Sequence, residues 1–195
     1  MYTIRSYRPS DREALRMICM ETADESLKKS DRLLNAVPVI YNDYFTDCEP
    51  QHIFVAADEN DEAVGYVICS ADTKRFLKEM RRRYIPEAAR RHPEMLFVAL
   101  AYVAAVLRHG KNYPAHLHID ILPAYQHVGA GTALIDALRS HLHDCGVQTV
   151  YINSMTYDTP AYKFYKKYGF TEAGKLGFGF FTLAVSTDKD GGKTE

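Results

Sequence analysis

The run His118-Ile119-Asp120-Ile121-Leu122-Pro123-Ala124-Tyr125-Gln126-His127-Val128-Gly129-Ala130-Gly131-Thr132-Ala133-Leu134 constrains the fold more than any other part of the chain. It reads as a short apolar strand, a tight glycine-bearing turn, and the first turn of an amphipathic helix. At such a junction several backbone N–H groups converge without intrahelical acceptors, and the helix dipole adds partial positive charge. That combination suits an anion, most often a phosphate. Gly129 and Gly131 let the backbone come close to a ligand and take positive φ where required. A Walker loop would need a lysine after Gly131, where Thr132 stands. A dinucleotide fingerprint would need a third glycine at Leu134 and a position early in the chain.

Size and composition narrow the class further. With 195 residues, 47% of them hydrophobic and 25% charged, the chain can bury one full core and is short for two domains. A net charge of −1 argues against a dedicated nucleic-acid binder. No basic region followed by an apolar one opens the chain, so a cytoplasmic protein without a membrane span is expected. Met95–Leu107 is strongly apolar but far short of the ~20 residues of a spanning helix, and a buried helix is expected there. Cys19, Cys48, Cys69 and Cys145 are widely spaced with no Cys-x-x-Cys pair, so four free thiols and no metal are expected. His141 and His143 are two apart on a helix and face different ways.

Along the chain, Tyr2–Tyr7 alternates as a strand, and Pro9–Glu13 opens a helix carrying Leu15, Ile18 and Cys19 at helical spacing. A less regular helical region fills Ser26–Phe45. Ile53–Ala57 and Val64–Cys69 form a hairpin, His116–Leu122 a fourth strand, Thr132–Cys145 a helix, Val147–Ile152 a fifth strand, and Gly177–Val185 a final one. Ala71–Ala115 reads as a helical insert whose first half is basic, with Arg81, Arg82, Arg83, Arg90 and Arg91. Two accounts of that charge stay open, a solvated helix face and a lid that attracts an anionic acceptor. Residues 1–185 are expected to form one domain, followed by a polar tail at 186–195.

A second signature follows the glycine turn. In Asp158-Thr159-Pro160-Ala161-Tyr162-Lys163-Phe164-Tyr165-Lys166-Lys167-Tyr168-Gly169-Phe170, Thr159 can cap a helix, Pro160 suits its first position, and Gly169 suits a left-handed stop. Gln126-x-x-Gly129-x-Gly131 and this segment together resemble the GCN5-related N-acetyltransferase (GNAT) family over roughly residues 116–170. The string His118–Pro123 is similar to that of bacterial acetyltransferases related to the acetyltransferase-like domain of O-GlcNAc hydrolases. Some of those have degraded cofactor loops and are regarded as pseudo-enzymes, whereas this chain keeps Gly129, Gly131 and Tyr165.

The resemblance implies an α/β (α+β) fold, a mixed sheet of about six to seven strands flanked by helices, with the insert between strands 3 and 4. It implies acetyl-CoA as donor and a primary amine of a small molecule or peptide as acceptor, by direct attack. A non-catalytic acyl-CoA-binding module is the alternative, and a homodimer fits the family's habits. Ile121 and Leu122 are expected to offer main-chain groups to the pantetheine arm and the oxyanion, in the manner of an added strand. Gln126, His127, Val128, Gly129, Ala130, Gly131 and Thr132 are expected around the pyrophosphate. Tyr165 would protonate the departing thiolate, and Asp158 stands where the family has asparagine, with Asn153 partly substituting. His116, His118 and Asp120 alternate on one strand face, making His118 and Asp120 the candidate bases. In an apolar strand Asp120 is expected to carry a raised pKa unless it is paired.

Overall fold

A computed structural model describes residues 1–110, 112–177 and 180–188. Thr3–Ser6 forms β1 and Arg12–Glu21 α1, followed by short helices α2 (Asp31–Leu34), α3 (Val37–Tyr41) and α4 (Asp43–Cys48). A 3-10 turn at Pro50–His52 leads into β2 (Ile53–Ala57), which pairs with β3 (Ala63–Ser70). The insert holds α5 (Thr73–Glu79), a π-helical turn at Met80–Tyr84, α6 (Ile85–Arg91) and α7 (Glu94–His109). Then come β4 (Ala115–Ile121), α8 (Ala130–Asp144), β5 (Thr149–Met155), α9 (Pro160–Tyr168), β6 (Thr171–Gly177) and β7 (Phe180–Ser186).

The strands make one seven-stranded sheet in the order β1-β2-β3-β4-β5-β7-β6. Every neighbouring pair is antiparallel except β4 with β5. This is the mixed sheet the resemblance implies. Period-two alternation divides its side chains between two cores. Tyr66 and Ile68 of β3 join Leu15, Ile40, Tyr44, Phe45, Phe76, Met80 and Met95 on the face covered by α1, α3, α4 and the insert. Val67 and Cys69 join Leu117, Leu134, Leu138, Val150, Ile152, Tyr165, Phe170 and Leu183 on the face covered by α8 and α9.

Local signals set the ends of α9 as the sequence predicts. Thr159 Oγ1 accepts from the Tyr162 N–H at 3.1 Å, Pro160 opens the helix, and Gly169 closes it at φ 114°. Such capping needs only neighbours in the chain, which is why it is legible without tertiary information.

Three expectations are corrected. Helix α7 is not buried throughout: Met95, Ala99 and Val106 pack inward, while Phe97, Leu100 and Leu107 are exposed. It is apolar nearly all round, and only its inner side is covered. The single final strand is a hairpin of β6 and β7, which lengthens the sheet by one strand beyond Phe170; residues 178 and 179 lie outside the described residues. The tail starts later than expected, because Ser186 belongs to β7 and Thr187 is buried with its N–H on Gln148 O at 2.9 Å. The rest of that segment, 189–195, lies outside the described residues.

Candidate active site

The parallel strands β4 and β5 pair only at Ala115↔Val150 and His116↔Tyr151, and then diverge. β4 stays paired to β3 as far as Gly65↔Ile121, so its opposite edge carries main-chain groups without a neighbouring strand. The Leu122 N–H donates to Val64 O at 3.0 Å. Because N–H and C=O groups alternate sides along a strand, Leu117, Ile119 and Ile121 turn theirs toward the opening. Of the two amides expected there, Ile121 therefore faces the gap and Leu122 does not.

Beside this gap His118 Nε2 lies 3.1 Å from Asp120 Oδ2. The Tyr66 hydroxyl donates to the same oxygen, and the Tyr41 ring stacks on His118 with centroids 5.6 Å apart. Burial pushes the Asp120 carboxyl up, but the His118 charge and hydrogen bonds from His118, Tyr66 and Thr22 outweigh it and hold Asp120 below its ordinary value. The pairing that would prevent a raised Asp120 pKa is present, and the pKa is lowered. Burial lowers His118, yet the charge and hydrogen bond of Asp120 leave it above its ordinary value. The sequence missed Tyr66, Tyr41, Thr22 and Cys19 as neighbours of this pair, for none carries a local motif. His116, on the same strand face, is fully buried among Phe45, Phe76 and Tyr151, and neither ring nitrogen has a partner among the described residues. Burial first, with the His118 charge adding to it, drops its pKa to about 3.

Past the gap, the chain turns at Pro123–Tyr125 and enters α8 through Gly129 at φ 90°, with His127 also left-handed at φ 63°. The Ala133 N–H is bonded to Gly129 O at 3.1 Å. The amides of Ala130, Gly131 and Thr132 precede it and find no acceptor within the helix. No acidic residue occupies that first turn, and Gln126, His127, Val128 and Gly129 are all exposed. A diphosphate fits such an end. Gln126 spends its amide on Ile121 O at 2.8 Å, tying the loop to the end of β4. The two glycines have different reasons to be there. Gly129 takes the left-handed conformation, whereas a Cβ on Gly131 would meet Phe164 Cζ at 3.0 Å, so its smallness lets α9 approach α8.

On the opposite face of the gap, Tyr165 is buried against Phe164 and Phe170. Burial, and then the negative charge of Asp120, push its phenol up, so it stays protonated at neutral pH. Asp158 is exposed in the left-handed region at φ 64°, in the loop before α9. Asn153 is on β5 next to Ile152, whose side chain joins the α8–α9 core, so it turns to the other face. There Asn153 Oδ1 accepts from Thr182 Oγ1 at 2.9 Å.

Three arginines of the basic part of the insert are ion-paired. Arg83 meets Asp47 at 3.0 Å, and Arg90 and Arg91 meet Glu87 at 2.9 and 2.8 Å. Arg82, Arg83, Arg90 and Arg91 line a groove with Arg12 and Arg16. Those two lie toward the start of α1, while Cys19 and Thr22, near Asp120, lie toward its end. The described cysteines are free thiols, Cys145 being exposed rather than packed. Among the described residues no helix is long and apolar enough to cross a membrane.

A parallel strand pair that splays, an amide-lined helix start beside it, and a histidine–carboxylate pair on the strand that borders the gap fit an acyl-CoA-dependent transferase. The sequence model of the Acetyltransferase (GNAT) family matches residues 20–170. The crystal structure of SsHAT is 33% identical, covering 96% of this chain and 99% of that one, with a TM-score of 0.85. The polyamine N-acetyltransferase of Drosophila melanogaster (13% identity, 95% and 100% coverage, TM-score 0.60) shares the fold. So does the PaiA N-acetyltransferase of Thermoplasma acidophilum in complex with coenzyme A (12% identity, 94% and 98% coverage, TM-score 0.57). The chain belongs to the GNAT family of N-acetyltransferases.

Proposed function

We propose that this protein moves an acetyl group from acetyl-CoA to a primary amine of a small molecule or peptide, by direct attack and without a covalent enzyme intermediate. The observation that carries the reading is the two-sided gap. Pairing of β4 with β5 stops at His116↔Tyr151, the His118–Asp120 pair lies on one side, and protonated Tyr165 lies on the other.

In this reading the amides of Val128 to Thr132 hold the pyrophosphate, and the main chain of Ile121 aligns the pantetheine arm. His118, oriented by Asp120, takes the proton from the incoming ammonium, which must be neutral to attack. The amine nitrogen bonds to the thioester carbon, and the Ile121 N–H donates to the developing oxyanion. As the carbon–sulfur bond breaks, Tyr165 gives its proton to the thiolate, and the proton shed by the attacking nitrogen restores the phenol.

The test is CoA release with and without a panel of amines, alongside thermal shift with acetyl-CoA. Tyr165→Phe is expected to lower kcat about 100-fold, in the range of a lost general acid, while the acetyl-CoA-induced Tm shift remains. Acetyl-CoA binding with no amine-dependent CoA release from any acceptor would favour the non-catalytic binding module instead.

A further inference from the structure

Three metal-ligating side chains converge at the end of α8 away from the glycine loop. His52 closes the 3-10 turn before β2, and His141 and Cys145 stand one helical turn apart at the C-terminal end of α8. His52 Nδ1 is 2.8 Å from His141 Nε2, and Cys145 Sγ is 3.7 Å from that same Nε2. All three ligand atoms lie within 4.8 Å of one another. A ring nitrogen offers either one proton or one lone pair, so His141 Nε2 cannot fully satisfy both neighbours. A cation between them satisfies all three.

The surroundings support that reading. Behind His52 stands Glu49, 2% exposed, whose Oε1 accepts from the Tyr44 and Ser70 hydroxyls, each at 2.6 Å. Glu49 Oε2 accepts from the Ala71 N–H at 2.9 Å and lies 3.9 Å from His52 Nε2. At that separation, beyond a direct hydrogen bond, the fixed carboxylate still favours a proton on Nε2, which leaves Nδ1 free for a metal. The Phe54 ring packs edge-on against His141 with centroids 5.6 Å apart. His52 is buried and Cys145 exposed, leaving a solvent side for a water ligand.

We propose that His52, His141 and Cys145 form a Zn²⁺ site, completed by water and backed by Glu49. Two imidazoles and a thiolate are the donors this borderline-soft ion prefers. The imidazole nitrogens need part only to the ~3.3 Å spanned across a tetrahedral ion with bonds of about 2.05 Å. Binding releases the Cys145 thiol proton to solvent. The ion staples the lead of β2 to the helix that carries the phosphate loop, and it does so whether or not the acetyl-transfer reading holds.

The test is titration of chelator-treated protein with Zn²⁺, followed by Tm, and with Co²⁺, followed by thiolate-to-cobalt charge-transfer absorption. Cys19, His118 and Asp120 also bring ligand atoms within 4.8 Å of one another, so Cys19→Ala is the control. The Co²⁺ band and the Zn²⁺-induced Tm rise are expected in the parent protein and in Cys19→Ala. Both should vanish in Cys145→Ser, an exposed conservative change whose metal-free Tm reports that it folds. Zn²⁺ affinity is expected to fall at least tenfold in His141→Gln. No band in the parent protein, or a band lost in Cys19→Ala and kept in Cys145→Ser, overturns the proposal.

Discussion

His118 Nε2 and Asp120 Oδ2 lie 3.1 Å apart on one face of β4, and each sets the charge of the other. If His118 is the base, turnover needs its neutral form, and kcat/KM rises with pH through a value above its ordinary 6.5. Asp120→Asn removes the charge that holds that value up. The acid limb is expected to move to lower pH while kcat drops roughly 100-fold. A pH profile whose acid limb stays in place would remove His118 from the base role.

The same face carries an opposite stability effect at His116. Its folded pKa is about 3 against an ordinary 6.5, so the unfolded chain binds the extra proton between those values. Stability is then present above pH 6.5 and lost as pH falls toward 3, at up to about 1.4 kcal/mol per unit. The His118–Asp120 pair behaves differently. The share from raised His118 is full below 6.5 and lost as pH rises through its folded value; the share from lowered Asp120 is full above 3.8 and lost as pH falls. His116→Phe is expected to flatten the acid side of the stability curve, measured by urea unfolding at a series of pH values.

Gly129 and Gly131 should separate when each is changed to alanine. Gly129→Ala forces a side chain into φ 90°, costing about 1–2 kcal/mol locally, and is expected to weaken CoA binding as the loop relaxes. Gly131→Ala pushes against Phe164 Cζ and is expected to lower stability by about 1 kcal/mol through the α8–α9 contact. Isothermal titration with CoA and thermal melts would measure the two losses side by side.

Charge reversal at Arg82 and Arg83 is expected to leave the acceptor KM unchanged. Their groove borders Arg12 and Arg16, toward the start of α1, whereas Cys19 and Thr22, near Asp120, lie toward its other end. Losing the Arg83–Asp47 pair, with Arg83 largely exposed, should cost under about 1 kcal/mol. A raised KM for an anionic acceptor would restore the lid role for the insert.

Much of this protein is written in short-range pattern. The α9 caps at Thr159 and Gly169, the glycine entry to α8, the β2–β3 hairpin and the alternation of β4 all depend on residues a few positions apart. Backbone sterics and side-chain periodicity act over just that range, so the sequence alone determined them, and with them the family.

What lay beyond that range needed the packed sheet. The pairing of Asp120 with Tyr66 and Thr22, the turning of Asn153 toward Thr182, the half-covered α7 and the meeting of His52 with His141 and Cys145 join distant parts of the chain. Strand order and register decide such meetings, and a strand's own period does not encode which neighbour it will have. The direction of the Asp120 pKa followed from the same cause. Burial was legible in an apolar strand, but the charges and hydrogen bonds that overrode it arrive only when β3 and α1 are laid beside β4.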